Sequence, residues 1–354
     1  MFGHPSPATP NLTPMEGELA VAVTGLGVAL PEEVVSNADW AASLDTSDEW
    51  IVSRTGIRER RRAAPNEATS DLAIRAATAA LADAGLDARD IGVIVVATTT
   101  PDHLVPQTAP LVAARLGLEV PAFDVGAGCS GFVYGLAVAA GLATSGLADP
   151  VLLVGAETMT RVIDPTDRQT AVLFGDGAGA CILSAHAPEG TALGSVGPFD
   201  LGSDGALADA LMVPAGGVRE PASHETVAAN RHVVLMRGRE VYRHAVTRMS
   251  ASAWVVLQRA GLQAADVDVL VGHQANARIL AAVAQRLGIR DEQAFVCVER
   301  YGNTSAASIP IALEEARTAG RLRRGTRVLL TSFGAGLTWG SCLLTWAAAE
   351  ETAR

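Results

Sequence analysis

Cys129 lies in Gly126-Ala127-Gly128-Cys129-Ser130-Gly131, directly ahead of an apolar stretch over residues 132–143. A small-residue turn followed by such a stretch predicts a loop entering a buried helix. The first amides of a helix are unpaired and partly positive, so a cysteine there is expected to have a lowered pKa and to act as a nucleophile. The flanking glycines let a substrate carbonyl approach the backbone closely. The same pattern suits a small hydrophobe tucked under a helix, the usual state of a free cysteine. Two further residues stand where chemistry is possible. His273 follows the apolar run 267–272, and Asn303 sits in Gly302-Asn303-Thr304-Ser305. Alone, the first reads as a core histidine at a strand end and the second as a turn residue. Of the remaining histidines, His103, His186, His224, His232 and His244 have no partner motif and read as surface or core.

The elements that must position these residues occur twice. Residues 80–96, ALADAGLDARDIGVIVV, align without a gap on residues 256–272, VLQRAGLQAADVDVLVG, sharing Leu81/Leu257, Gly85/Gly261, Asp90/Asp266 and Val95/Val271 among others. Each predicts a helix ending at glycine, a turn and a buried strand. Downstream, Arg115-Leu116-Gly117-Leu118 echoes Arg286-Leu287-Gly288-Ile289, and Ala122-Phe123 echoes Ala294-Phe295. Gly179-Ala180-Cys181-Ile182-Leu183 echoes Gly340-Ser341-Cys342-Leu343-Leu344. Three echoes in one order indicate a duplication with a period of half the chain. Helices alternating with strands buried on both faces give an α/β protein. The boundary is expected near residues 185–195, giving a tail over 1–18 and halves over 19–190 and 191–354. Cys129, His273 and Asn303 fall at the strand and loop ends where related halves meet, which is where open α/β folds bind ligands. Neither half carries a dinucleotide fingerprint: Gly25-Leu26-Gly27 lacks a third glycine, and Gly175-Asp176-Gly177-Ala178-Gly179 precedes a strand.

Composition narrows the field. With 354 residues, 49% hydrophobic and 18% charged, the chain is globular and long enough for a large core. A net charge of −11 argues against general nucleic-acid binding. All 27 basic side chains are arginine, which excludes Schiff-base chemistry and a P-loop lysine. Cys129, Cys181, Cys297 and Cys342 show no Cys-x-x-Cys spacing, so a metal site is not expected. The Pro-, Ser- and Thr-rich tail over 1–18 reads as disordered and not as a signal peptide. No apolar run reaches the length of a membrane span, and a soluble, cytoplasmic protein is expected.

Several long motifs are similar to those of the β-ketoacyl-acyl carrier protein synthase III family, within the thiolase-fold superfamily. They are Asp45-Thr46-Ser47-Asp48-Glu49-Trp50-Ile51-Val52, Arg54-Thr55-Gly56-Ile57-Arg58-Glu59-Arg60, Gly128-Cys129-Ser130-Gly131-Phe132 and Asp164-Pro165-Thr166-Asp167-Arg168. Further along stand Phe174-Gly175-Asp176-Gly177-Ala178-Gly179-Ala180, His273-Gln274-Ala275-Asn276, Tyr301-Gly302-Asn303-Thr304-Ser305 and Phe333-Gly334-Ala335-Gly336-Leu337-Thr338-Trp339-Gly340. The resemblance runs from about Ala20 to Trp346. It implies the duplicated five-layer αβαβα thiolase fold, a homodimer, and no resident cofactor. The implied reaction is a decarboxylating Claisen condensation of an acyl-CoA starter with malonyl-acyl carrier protein, which initiates fatty acid synthesis.

By that resemblance Cys129 would be the acylated nucleophile, and His273 and Asn303 would donate to the malonyl thioester carbonyl as carbon dioxide leaves. The N–H groups of Cys129 and Ala335 would hold the other oxyanion. Trp50 and Arg168 would clasp the adenine of coenzyme A, with Thr46, Arg54 and Asn276 nearby. Arg243, Arg278 and Arg286 would meet the acidic carrier protein. Val105 stands where the family commonly has phenylalanine at the far end of the acyl pocket, across the dimer interface, so a larger pocket and branched or longer starters are expected. Ala335 replaces the usual glycine and would be strained if its φ were positive. Two other functions remain open on sequence: a polyketide-priming or acyl-transferring relative, and a non-catalytic subunit, which the intact Cys129, His273 and Asn303 disfavour.

Overall fold

The computed structural model describes residues 21–347; the tail expected over 1–18 lies outside them. Nine strands form the central framework: β1 (Ala22–Ala29), β2 (Val93–Ala97), β3 (Ala122–Val125), β4 (Val151–Thr158), β5 (Asp176–Ser184), β6 (Gly194–Ser203), β7 (Val269–Gly272), β8 (Arg327–Gly334) and β9 (Thr338–Trp346). Seven helices matter for the site: α1 (Asp48–Thr55), α2 (Thr69–Ala84), α3 (Thr108–Arg115), α4 (Gly131–Thr144), α5 (Gly238–Arg259), α6 (Ala277–Leu287) and α7 (Ser308–Thr318).

The strand order is β7-β8-β9-β6-β1-β5-β4-β2-β3. Outward from the β6–β1 contact, each side repeats one plan: first strand, antiparallel last strand, then parallel strands. Within the sheet the two sides pair at Ala22–Ser195 and Val23–Gly194. A parallel bridge from Leu270 to Ala294 occupies the place in the second half that β3 holds in the first. The sequence echoes fall on matching elements. Gly85 ends α2 and Gly261 follows α5, with φ of 66° and 68°, the left-handed conformation that glycine adopts without strain.

Side-chain period decides the layers. On β2, Val93 and Val95 face one core while Ile94 and Val96 face another; on β4, Val151 and Leu153 oppose Leu152 and Val154. One outer core packs α2 and α3 on the first half, and a second packs α5 and α6 on the other. Between the halves, α4 and α7 share a core with strand faces of both, including Phe132, Leu136, Ile309, Leu313, Leu153 and Leu330. The result is five layers, αβαβα, as expected. Helix α4 is apolar along most of its surface because strand faces and α7 pack against it, and Val138, Gly141 and Thr144 form its exposed side.

Close backbone approach holds α2 against β1. A methyl group on Gly27 would stand 2.2 Å from Ala80 N and 2.4 Å from Ala76 O. Gly27→Ala is therefore expected to destabilise the fold by on the order of 3 kcal/mol through overpacking. Urea unfolding of the variant beside the native protein measures this, and an unchanged midpoint would contradict the packing described.

Candidate active site

The stretch ahead of α4 is a short 3-10 turn, Gly128–Ser130, with Cys129 at its centre and 9% exposed. It is pressed against the turn between β8 and β9. A methyl group on Gly334 would lie 2.4 Å from Cys129 N, and one on Gly128 would lie 2.7 Å from Ala335 N. The amides of Cys129 and Ala335 are thereby brought to one place. Ser130 Oγ donates to Thr338 O, and Thr338 Oγ1 donates to Ala127 O, tying the two turns together. Ala335 does not have positive φ, so alanine in place of glycine carries no strain there.

The expected acidity of the thiol is not what the surroundings produce. Burial pushes Cys129 up to about 12, the Glu157 carboxylate pushes it the same way, and a Ser305 hydroxyl opposes them only in part. Helix-start amides offset less than loss of water removes, because the charged form is penalised most by desolvation. Cys129 rests as a thiol.

His273 follows β7 and is 3% exposed; its N–H donates to Thr331 O. Its Nδ1 lies 2.6 Å from Ser308 Oγ at the start of α7. That hydroxyl already accepts from Gln274 N and has no other acceptor among the described residues. Its proton therefore points to Nδ1, and the ring carries its own proton on Nε2 as a donor. Burial lowers the imidazole pKa to about 3, so His273 is a neutral donor at physiological pH.

Asn303 is held by its backbone, donating to Leu173 O and accepting from Gly175 N. The segment it leans on is anchored by Arg60, whose buried guanidinium donates to Val172 O, Val35 O and Asn37 Oδ1. Asn303 Oδ1 accepts from Ser305 N at 2.9 Å, so its Nδ2 is the group left for another acceptor. Phe174 lines the cavity beside this support, and Asp176–Ala180 run on as the buried start of β5.

Cys129, His273 and Asn303 line the buried end of a cavity of about 610 Å³. Trp50, Arg54 and Arg168 line its outer part, with both guanidinium groups over the indole at 4.7 and 4.9 Å. A flat ring between Trp50 and Arg168 needs about 7 Å, two contact distances, so the clasp is closed and Arg168 has to swing out to admit a base. Arg168 also donates to Asp45 O at 2.6 Å, the bond it would exchange. Asn276 lines the cavity, caps α6 by accepting from Arg278 N, and donates to Arg54 O. Thr46 does not line the cavity; its hydroxyl is buried without a partner.

Of the three arginines assigned to a carrier, Arg278 reaches the cavity and lies over Tyr242, while Arg243 and Arg286 are exposed outside it. Arg239, one turn before Arg243 on α5, also lines the cavity; its i, i+4 spacing was the available signal. Val105 is 87% exposed and does not line this chain's own cavity. Sequence reasoning gave no role to Ser308 and Glu157, which stand in no motif, or to Ser305, which it quoted only as the end of the Asn303 motif.

Two family models match the chain: 3-oxoacyl-[acyl-carrier-protein] synthase III over residues 123–205, and its C-terminal counterpart over 257–346. The beta-ketoacyl-[acyl-carrier-protein] synthase III 3 of Streptomyces coelicolor is 52% identical across 94% of this chain and 98% of its own length. The 3-oxoacyl-(acyl carrier protein) synthase III structure from Pseudomonas aeruginosa is 49% identical, covers 93% of this chain and 99% of that one, and superposes with a TM-score of 0.85. The priming β-ketosynthase of the R1128 polyketide pathway is 34% identical, covering 94% and 98%, with a TM-score of 0.85.

The His273 environment sets a pH dependence. Its folded pKa lies below the unfolded value of 6.5, so between those limits only the unfolded chain binds the proton. This contribution to stability is complete above pH 6.5 and is lost as pH falls toward 3, by up to about 1.4 kcal/mol per pH unit. Unfolding titrations of native protein and His273→Asn across that window should show the smaller slope in the variant.

Proposed function

The chain belongs to the β-ketoacyl-acyl carrier protein synthase III family, and from that premise we propose how its own residues carry the reaction. The enzyme is an acyltransferase that condenses an acyl-CoA starter with malonyl-acyl carrier protein, with loss of carbon dioxide, to initiate fatty acid synthesis. The observation that carries the assignment is the meeting of Cys129, His273 Nε2 and Asn303 Nδ2 at one buried cavity end, with both donors unspent.

Cys129 sulfur attacks the starter thioester. The amides of Cys129 and Ala335 receive the oxyanion, and coenzyme A departs. In the second half-reaction His273 and Asn303 donate to the malonyl thioester oxygen as decarboxylation places charge on it. A neutral imidazole holds that enolate without protonating it, which leaves the carbanion free to attack acyl-Cys129.

Trp50, Arg54 and Arg168 hold the adenine end of coenzyme A, with Asn276 beside them; Thr46, outside the cavity, takes no part. Arg243, Arg278 and Arg286, joined by Arg239, receive the carrier. Leu104 and Val105 stand 79% and 87% exposed on one surface segment, which supports a homodimer in which Val105 closes the partner's acyl pocket. We read 19–190 and 191–354 as two halves of a duplicated plan, the first bringing the cysteine and the second His273 and Asn303. Four free cysteines, and no described helix long and apolar enough to cross a membrane, are compatible with the cytoplasm.

Intact-mass spectrometry after mixing with acetyl, branched and medium-chain acyl-CoAs tests the first half-reaction. One acyl addition is expected on the native protein and none on Cys129→Ala, with a branched or longer chain loading best; no adduct from any acyl-CoA would overturn the reading. His273→Ala and Asn303→Ala should each slow malonyl decarboxylation by about 10²–10³-fold while Cys129 remains acylated.

A further inference from the structure

Asn303 serves the enolate only while its Nδ2 faces the cavity. Turned by half a revolution, the amide would present Oδ1, an acceptor, to an oxygen that gathers negative charge, so its orientation decides the sign of what it contributes. Leu173 and Gly175 fix the main chain of Asn303 and leave its side chain free to rotate. Among the described residues one group binds that side chain: Ser305 N–H, which donates to Oδ1 at 2.9 Å. Whatever holds Ser305 therefore decides which end of the amide the cavity meets.

Ser305 opens a buried 3-10 turn, Ser305–Ala307, ahead of α7. Its φ of 49° is a conformation that non-glycine residues adopt only where the surroundings impose it. With α7 fixed behind the turn, relaxing that angle rotates the peptide ahead of Ser305 and takes its N–H off Asn303. The constraint comes from the other half of the molecule. Glu157, near the end of β4 and fully buried, accepts on Oε1 from Ser305 Oγ at 2.9 Å and from Ala306 N at 3.4 Å. The carboxyl is itself fixed by the segment that follows β2. Thr99 N at 3.1 Å, Thr99 Oγ1 at 3.0 Å, Thr98 Oγ1 at 3.3 Å and Thr100 Oγ1 at 2.6 Å donate to it. Backbone packing closes the turn from the same side, since a methyl group on Gly155 of β4 would stand 2.6 Å from Ala306 O. A carboxyl group has an accepting oxygen whether or not it carries a proton, so this hold needs no charge. Burial drives Glu157 toward the neutral form.

We propose that Glu157 is a positioning residue for the decarboxylation step, holding the strained Ser305 turn so that Asn303 keeps Nδ2 toward the enolate. The proposal rests on the reading of Asn303 as an enolate donor. Glu157 does not line the cavity and touches no reacting atom; a strand of the first half orients a donor of the second. The property required is an accepting oxygen and not a negative charge, so glutamine serves in its place where leucine does not.

The test is carbon dioxide release from malonyl-acyl carrier protein by the native protein, Glu157→Gln, Glu157→Leu and Ser305→Ala, each alone and combined with Asn303→Ala. Glu157→Leu and Ser305→Ala are expected to lower kcat at least about tenfold, since a misdirected amide approaches the loss of an oxyanion donor. Glu157→Gln keeps an oxygen for Ser305 Oγ and is expected within about threefold of native. In the Asn303→Ala background none of the three is expected to cost more than about twofold further, because each acts through the amide that has been removed. A merely structural role would lower the rate alike in both backgrounds. Native rates in Glu157→Leu and Ser305→Ala, an equal loss in the Asn303→Ala background, or Glu157→Gln as slow as Glu157→Leu would each overturn the proposal. Where Glu157→Leu fails to fold, Ser305→Ala decides the matter, since it leaves the carboxyl and its other partners in place. Asn303→Ala by itself separates the two levels. A native rate there overturns the donor role of Asn303 and the proposal with it; a slowed Asn303→Ala beside native-rate Glu157→Leu and Ser305→Ala overturns the proposal alone.

Discussion

The Cys129 turn and the β8–β9 turn meet backbone to backbone, and that contact is what the site depends on. Gly334 has no room for a methyl group because Cys129 N occupies the space, and Gly128 has none because Ala335 N does. Side chains at either place would push the two amides apart. The contact spans the halves of the molecule: Cys129 belongs to the entrance of α4 in the first, and Ala335 to the end of β8 in the second. The shared core beneath α4 and α7 therefore fixes this contact as well as the stability of the fold, since any shift of one half against the other parts the two amides.

Removal from water governs the remaining groups. It pushes Cys129 up and His273 down at the cavity end, each toward its neutral form, and pushes up Glu157, which is buried outside the cavity lining. A neutral donor at His273 suits stabilisation of an enolate, which an imidazolium would protonate. The same desolvation leaves the nucleophile as a thiol, so the site needs a route for its proton. Hydrogen bonds, not charges, do the positioning: Ser308 sets the His273 ring and Ser305 N–H sets the Asn303 amide, both from the start of one helix region.

The outer part of the cavity has a different physics. Arg54, Arg168, Arg239 and Arg278 gather around it on a chain of net charge −11, so a local positive field is built against the global one. Arg54 and Arg168 rest on Trp50 and cover its indole.

Much of this was legible in the residues. The repeated helix–glycine–turn–strand pattern indicated two like halves, because a left-handed cap and a strand buried on both faces leave strong local marks at Gly85 and Gly261. Cys129, His273 and Asn303 were marked by motif, and Trp50 with Arg168 by the same means. Glu157 and Ser308 were not, because each works through partners 35 to 148 residues away in the chain. The acidity of Cys129 was misjudged for a related reason: a helix start is a local feature, but the burial that outweighs it is supplied by β4, the β8–β9 turn and residue 305. The sequence alone determined the α/β class, the repeated plan and which residues stand at the cavity end, all set by local patterns. Tertiary structure alone decided which protonation states those groups hold and which hydrogen-bond partners orient them, because both depend on how completely distant segments exclude water.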